Sequence, residues 1–333
     1  LDELRESLAS NWASQYNGQI SKKNVAITSG CNQAFCAVIT ALTNENDEVI
    51  IPTPWYFNHH MWLQMAGVRT VPLETDGNMS PIVEKARALI TKKTRAIVLV
   101  SPNNPSGCVY SNDILQKFFD LCRSNNLRLI LDETYKDFHP RASKPHDLFE
   151  NNDWDSTLTV LYSFSKTYRM TGHRVGALLT SNQNLLEVEK VLDTFTVCPA
   201  QLGQYAANWG LNNLNAWITE RRNEILDRAR HFKEKFHPLT ELGWSLKGCG
   251  AYFAFLEHPF FEGSNILAPL IFRDEGILLM PGTMFYPKTD PLGSRSFRIA
   301  FANIDNNKIT TLLERLQNLS YQHVNEKKHK KAQ

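Results

Sequence analysis

The sequence predicts an α/β protein: a mostly parallel sheet with helices on both faces, followed by a smaller C-terminal α+β domain. Two observations carry this. Through the first two thirds of the chain, short apolar and β-branched runs alternate with helix-like segments, which is the pattern of a sheet covered on both sides. Beyond a long helical stretch, further strand-like runs follow one another without that alternation, as expected of a separate small domain. At 333 residues the chain is long enough for one large α/β domain and a smaller one.

In chain order, the strand-like runs of the large domain are "EVIIP" (48–52), "RAIVLVS" (95–101), "LRLILDE" (127–133), "TLTVLY" (157–162) and "VGALLT" (175–180). Between them lie helical patterns such as "NQAFCAVITALT" (32–43) and "NDILQKFFDLCRSNN" (112–126). A helical stretch from about Leu185 runs through "WITERRNEILDRARHFKEKF" (217–236). After it, "AYFAFLE" (251–257), "GILLMPG" (276–282) and "SFRIAFA" (296–302) read as strands. The expected domains are therefore 1–237 and 238–324, with 325–333 ("NEKKHKKAQ") as a basic tail. Residue 1 falls inside a helical pattern with no preceding cap, so the reading expects more chain before it.

Composition narrows the function classes. A formal net charge of +2, with 42% hydrophobic and 21% charged residues, gives no nucleic-acid or membrane footprint. Six cysteines (Cys31, Cys36, Cys108, Cys122, Cys198 and Cys249) are scattered without a CxxC pair, which predicts free thiols in a reducing, cytoplasmic compartment. No apolar run approaches the roughly 20 residues needed to span a bilayer.

Polar residues at successive strand ends are the informative feature. "SPNNPSG" (101–107), "DETY" (132–135) and "SFSK" (163–166) each follow or close an apolar run, where α/β sheets bind ligands. Singly, they read as a turn, a helix cap and a surface lysine; jointly, they converge on one crevice. "SGCNQAF" (29–35) adds a loop opening onto an amphipathic helix, whose free N–H groups and dipole suit an anion.

The ordered set "SPNNPSG", "DETY", "SFSKTYRMTGHRVG" (163–176) and "SFRIAF" (296–301) resembles the class I/II aminotransferases, fold-type I enzymes that use pyridoxal 5′-phosphate. The resemblance spans nearly the whole chain and implies a seven-stranded sheet. It implies that Lys166 carries the cofactor on its amine and shuttles the substrate proton, a task for an amine that is neutral near pH 7. Asp132 then pairs with the ring nitrogen, so that the ring accepts electrons. Tyr135 and Asn104 match positions that hydrogen-bond the ring oxygen, although alone they read as a core tyrosine and a turn asparagine. Gly30, Cys31 and Asn32, with Ser163, Ser165 and Arg174, match the phosphate ligands, the guanidinium suiting forked contact. Tyr56 matches the aromatic against the ring face, with Trp55 as the competing choice. Arg298 matches the arginine that clamps the substrate carboxylate, and Asn104 is expected to bind substrate as well. The adjacent His59 and His60 invite a metal, but neighbours in sequence rarely share a face and no third ligand is evident, so no metal is expected.

Three alternatives stand at this point. The first is transfer of an amino group from an L-amino acid to a 2-oxo acid by a ping-pong mechanism. The second is a β-eliminating lyase or synthase on the same fold. The third is the sensor domain of a transcription regulator, which requires a DNA-binding module upstream. Related acyl-transferring synthases carry a histidine where this chain has Thr134-Tyr135, which disfavours acyl transfer. Dicarboxylate-specific members carry a second arginine near "LDTFTVCPAQ" (192–201), which holds none, so neutral or aromatic side chains are expected. Family active sites take residues from both subunits, which implies a homodimer.

Overall fold

The structure, a computed structural model, describes residues 1–140 and 144–331, with side chains up to Ser320. The basic segment expected at 325–333 therefore lies outside the residues whose side chains are described. The chain divides into two compact units: residues 1–76, 80–103 and 109–222 form the first, and 77–79, 104–108 and 223–333 the second.

The first unit is built on β1 (Val25–Thr28), β2 (Glu48–Pro52), β3 (Arg69–Leu73), β4 (Thr94–Val100), β5 (Arg128–Asp132), β6 (Leu158–Ser163) and β7 (Gly176–Leu179). They form one seven-stranded sheet in the order β1-β7-β6-β5-β4-β2-β3. Only β7 runs against the others, pairing antiparallel with both β6 and β1, so the sheet is mostly parallel as expected. Its helices are α1 (Asp2–Tyr16), α2 (Cys31–Leu42), α3 (Phe57–Met65), α4 (Val83–Leu89), α5 (Asn112–Ser124), α6 (Trp154–Thr157), α7 (Phe164–Thr167), α8 (Asn182–Thr196) and α9 (Gln201–Asn213). Successive strand residues point to opposite faces, and both faces are buried. Ile97, Leu99, Leu129, Leu131 and Val160 pack with Leu8, Trp12, Phe118 and Phe119 of α1 and α5. Ala96, Val98, Ile130 and Leu161 pack on the other face with Phe35, Val38, Leu63 and Val188 of α2, α3 and α8.

Three strands escaped the sequence reading for physical reasons. β1 offers only three apolar residues in a row (Val25, Ala26 and Ile27), β3 carries Pro72, and β8 (Ser245–Gly250) contains two glycines. Pro72 is tolerated because β3 is the sheet edge. The expected continuous helix from Leu185 is interrupted: Val197, Cys198, Pro199 and Ala200 separate α8 from α9, Pro199 lacking the N–H that a helix interior needs. A further helix, α10 (Asn215–Lys235), runs through the division between units, and the boundary expected at 237/238 falls just past its end.

In the second unit, α11 (His237–Glu241) precedes β8, β9 (Phe253–Glu257), α12 (Ser264–Glu275), β10 (Met280–Pro281), α13 (Pro291–Arg295), β11 (Ser296–Ala300) and α14 (Asn306–Lys331). The four strands form an antiparallel sheet in the order β10-β11-β9-β8. Its core gathers Phe232, Trp244, Leu256, Ile271, Phe297, Ile299 and Ile309. Of the run at 276–282, only Met280 and Pro281 are paired as strand. Among the described residues, no helix is long and apolar enough to cross a membrane.

Candidate active site

In the first unit, most of the singled-out residues sit where strands end and helices begin. Asp132 is the last residue of β5, Ser163 the last of β6, and Lys166 lies one turn on, in α7. Gly30 caps α2 at φ 90°, a left-handed backbone that glycine adopts without strain. The cap supplies no side-chain oxygen, which leaves the first N–H groups of α2, those of Cys31 and Asn32 among them, available to an anion.

The guanidinium of Arg174 lies directly over this helix start. A Cβ at residue 30 would come within 2.2 Å of Arg174 Nη2, so only glycine permits the approach. Arg174 is itself held at φ 52° and donates from Nη1 to Ser165 Oγ at 3.4 Å and to the Thr171 carbonyl at 3.1 Å. Ser163 Oγ accepts from the Ser165 N–H at 3.2 Å. Gly176 brings β7 against the same loop, since a Cβ there would meet the Cys31 nitrogen at 2.6 Å. The structure thus gathers Gly30, Cys31, Ser163, Ser165 and Arg174 into a cradle of donors and positive charge.

Asp132 is 3% exposed, and its carboxylate is surrounded by donors. The Thr134 N–H donates to Oδ1 at 2.9 Å, the Cys31 thiol approaches the same oxygen at 3.7 Å, and His59 Nε2 lies 3.3 Å from Oδ2. Burial alone pushes this carboxyl up, but the hydrogen bonds and charge of His59 and the donors of Thr134 outweigh it and hold Asp132 below the usual carboxylate range. Cys31 moves the other way: burial first, then the Asp132 charge, push its thiol well up, so it stays protonated.

His59 is the residue that sequence reasoning missed. In the sequence it adjoins His60 as a nominal metal pair, whereas the structure separates the two rings. His59 is 1% exposed and stacks on Phe35 at 4.0 Å between centroids. His60 stacks on Trp55 instead, at 4.2 Å, and donates to or accepts from Thr70. The usable signal was helical spacing: Tyr56 caps α3 and His59 follows three residues later, and their rings meet edge to face at 5.0 Å. Tyr56 is half-buried and its hydroxyl accepts from Asn58 at 2.8 Å. Tyr135, 4% exposed, begins the turn after Thr134. Among the described residues no His, Cys, Asp and Glu cluster suits a metal ion.

The second unit holds Asn104 and Arg298. Arg298 rises from β11 and donates from Nη1 to Asn104 Oδ1 at 2.9 Å. Its guanidinium lies over the rings of Phe253 and Phe285, at 4.6 and 5.3 Å, and touches Met280 Sδ. Such apolar surroundings strip water from a cation and strengthen its pairing with a carboxylate.

These arrangements fit pyridoxal 5′-phosphate. A helix start topped by a guanidinium matches its phosphate, a buried ionised carboxylate matches a protonated ring nitrogen, and Lys166 supplies an amine at a neighbouring strand end.

The comparisons agree with that chemistry. The family described as aminotransferase class I and II matches residues 1–316. The aspartate aminotransferase of Thermotoga maritima is 28% identical over 322 residues, covering 95% of this chain and 80% of that protein. An aromatic aminotransferase of Arabidopsis thaliana is 30% identical over 247 residues, covering 72% of this chain and 61% of that protein. Among solved structures, the aromatic aminotransferase from Pyrococcus horikoshii superposes with a TM-score of 0.88 at 26% identity, covering 97% of this chain and 86% of that one.

Proposed function

Because the chain belongs to the class I and II aminotransferases, we propose that it moves the amino group of an L-amino acid with a neutral or aromatic side chain to a 2-oxo acid, in the two half-reactions of a ping-pong cycle. As a member of that family it is a transaminase that uses pyridoxal 5′-phosphate. The observation that carries the reading is the presence, in one unit, of an anion cradle at Gly30 and Arg174 and a buried, ionised Asp132. When bound, the cofactor supplies a sink for the electron pair left as Cα loses its proton.

The chain's own residues then divide the work. Gly30, Cys31 and Asn32 offer backbone N–H groups to the phosphate, with Ser163, Ser165 and Arg174 beside them. Asp132 keeps the ring nitrogen protonated, because an ionised carboxylate buried with its donors satisfied still favours a cation opposite it. Tyr56 would hold the ring by its face, and Tyr135 and Asn104 would donate to the ring oxygen. Lys166 holds the cofactor through Nζ, and when released takes the proton from Cα and returns it. Arg298 receives the substrate α-carboxylate in a forked contact and so fixes the direction of the Cα–H bond.

The names of the relatives divide between aspartate and aromatic substrates. Two features favour the neutral or aromatic side: residues 192–201 contain no arginine, and the surroundings of Arg298 are aromatic. A side-chain carboxylate buried without a partner costs several kcal/mol. A homodimer is supported by α9, which exposes Leu202, Tyr205 and Trp209 along one face. Cytoplasmic residence is supported by the six free thiols.

Borohydride reduction of the cofactor-loaded protein, followed by peptide mapping, tests the central role. The label is expected on Lys166; label on another lysine overturns the assignment. A spectroscopic screen of amino acids then identifies substrates by conversion of the bound cofactor to its amino form, whereas release of ammonia and pyruvate indicates elimination.

A further inference from the structure

Asp137 lies two residues past Tyr135, in the turn that continues the β5 loop, and the mechanism above gives it no task. Its side chain is 14% exposed and makes three bonds. One oxygen, Oδ2, accepts from Tyr162 Oη at 2.8 Å and from Thr167 Oγ1 at 2.8 Å. The other, Oδ1, accepts from Lys136 Nζ at 3.1 Å. Tyr162 immediately precedes Ser163, and Thr167 immediately follows Lys166. A single carboxylate oxygen therefore holds both ends of the four-residue segment that carries Ser163, Ser165 and Lys166.

From this geometry we propose that Asp137 is a positioning residue for Lys166: it fastens the turn bearing the lysine to the loop bearing Asp132 and Tyr135. The inference rests on the reading of Lys166 given above. Its physical need is plain. α7 is a single turn of four residues, and so short a helix does not hold itself together in isolation. Within it, Ser163 Oγ caps the Ser165 N–H and the Tyr168 N–H reaches the Phe164 carbonyl, both at 3.2 Å. Those bonds shape the turn; the Phe164 N–H, which donates to the Val175 carbonyl at 3.1 Å, and Arg174, which donates to Ser165 Oγ, tie it toward β7. Asp137 adds the tie to the β5 loop.

The anchor is itself well fixed. Lys136 is 3% exposed, donates to Gln15 Oε1 at 2.6 Å and stands 4.0 Å from the Trp12 ring centroid, so α1 braces the pair. Although burial pushes the Asp137 carboxyl up, the Lys136 charge and the two hydroxyls hold it below its ordinary range, so it accepts both hydroxyl bonds as a carboxylate. Displacement of a reacting group by about 1 Å costs large factors in rate, which makes the setting of this turn a kinetic matter as well as a structural one.

The test uses the single-group variants Thr167→Val and Tyr162→Phe, with Asp137→Asn beside them. In cofactor-free protein, hydrogen exchange read by mass spectrometry should quicken by about tenfold for amides 164–168 and stay unchanged over α5 and the second unit. In loaded enzyme, kcat should fall by about tenfold with KM within about twofold. The double hydroxyl variant should lose less than the product of the single losses, because both bonds end on one oxygen. If Asp137→Asn does not fold, the two hydroxyl deletions decide alone. Wild-type exchange over 164–168, a rise spread evenly over the whole unit, or unchanged kcat overturns the proposal. Failure of the Lys166 label with altered exchange overturns the reading of the lysine and leaves the anchor standing; a correct label with unaltered exchange overturns the anchor only.

Discussion

Replacing Asp132 with asparagine isolates the charge at the centre of the proposed site. The side chain is 3% exposed, so the substitution occurs in a place where water cannot make good the loss. Shape survives and the amide oxygen still accepts from the Thr134 N–H, while the amide nitrogen that replaces Oδ2 keeps its bond only to the His59 tautomer whose Nε2 accepts. What disappears is the negative charge proposed to face the protonated ring nitrogen. Removing one partner of a buried ion pair costs about 3–5 kcal/mol. At about 1.4 kcal/mol per decade of rate, kcat should fall by about 10² to 10⁴. The loss belongs to the Cα deprotonation step, so exchange of the substrate Cα–H in deuterated water, followed by NMR, should slow by the same factor as 2-oxo acid formation. The residues proposed to hold the phosphate are unchanged, so absorbance should show the variant still loaded. Turnover within about threefold of wild type in loaded protein refutes the role given to Asp132, whereas loss of cofactor together with turnover points to a fold defect.

Three further outcomes are expected. Arg298→Lys should lower kcat/KM for every amino acid alike, since an ammonium replaces a fork with one point charge, and neutral or aromatic donors should exceed aspartate in wild type; aspartate as the best donor contradicts the side-chain preference. Asp132 and Asp137 are both held below their ordinary pKa of 3.8, so the stability they confer is complete above that value and lost as pH falls below it. Melting of the cofactor-free protein should therefore weaken below about pH 4, less so in Asp137→Asn, and an identical acid profile in both proteins rejects this. Charging the exposed apolar face of α9 with Leu202→Glu and Trp209→Glu should convert a dimer to monomer in sedimentation, and an unaltered dimer places the interface elsewhere.

The sequence by itself determined the sheet and the placing of polar residues at its strand ends. The runs at 48–52, 95–101, 127–133, 157–162 and 175–180 are apolar on both faces, a composition that only a doubly covered sheet can bury, and they became β2, β4, β5, β6 and β7. Asp132, Ser163 and Lys166 were legible because a polar residue just past such a run must lie at the sheet's rim. β1, β3 and β8 were not legible, having an apolar run of only three residues, a break at Pro72 or a pair of glycines, and they are strands because neighbouring strands pair with them. Tertiary structure alone decided which of two adjacent histidines turned inward. About 100° separates consecutive residues on a helix, and the docking of α3 on α2 set His59 against Phe35 and Asp132 while His60 went to Trp55. It alone also brought Asp137 within reach of Tyr162 and Thr167, 25 and 30 residues away, since local periodicity carries no information about which loop a carboxylate will meet.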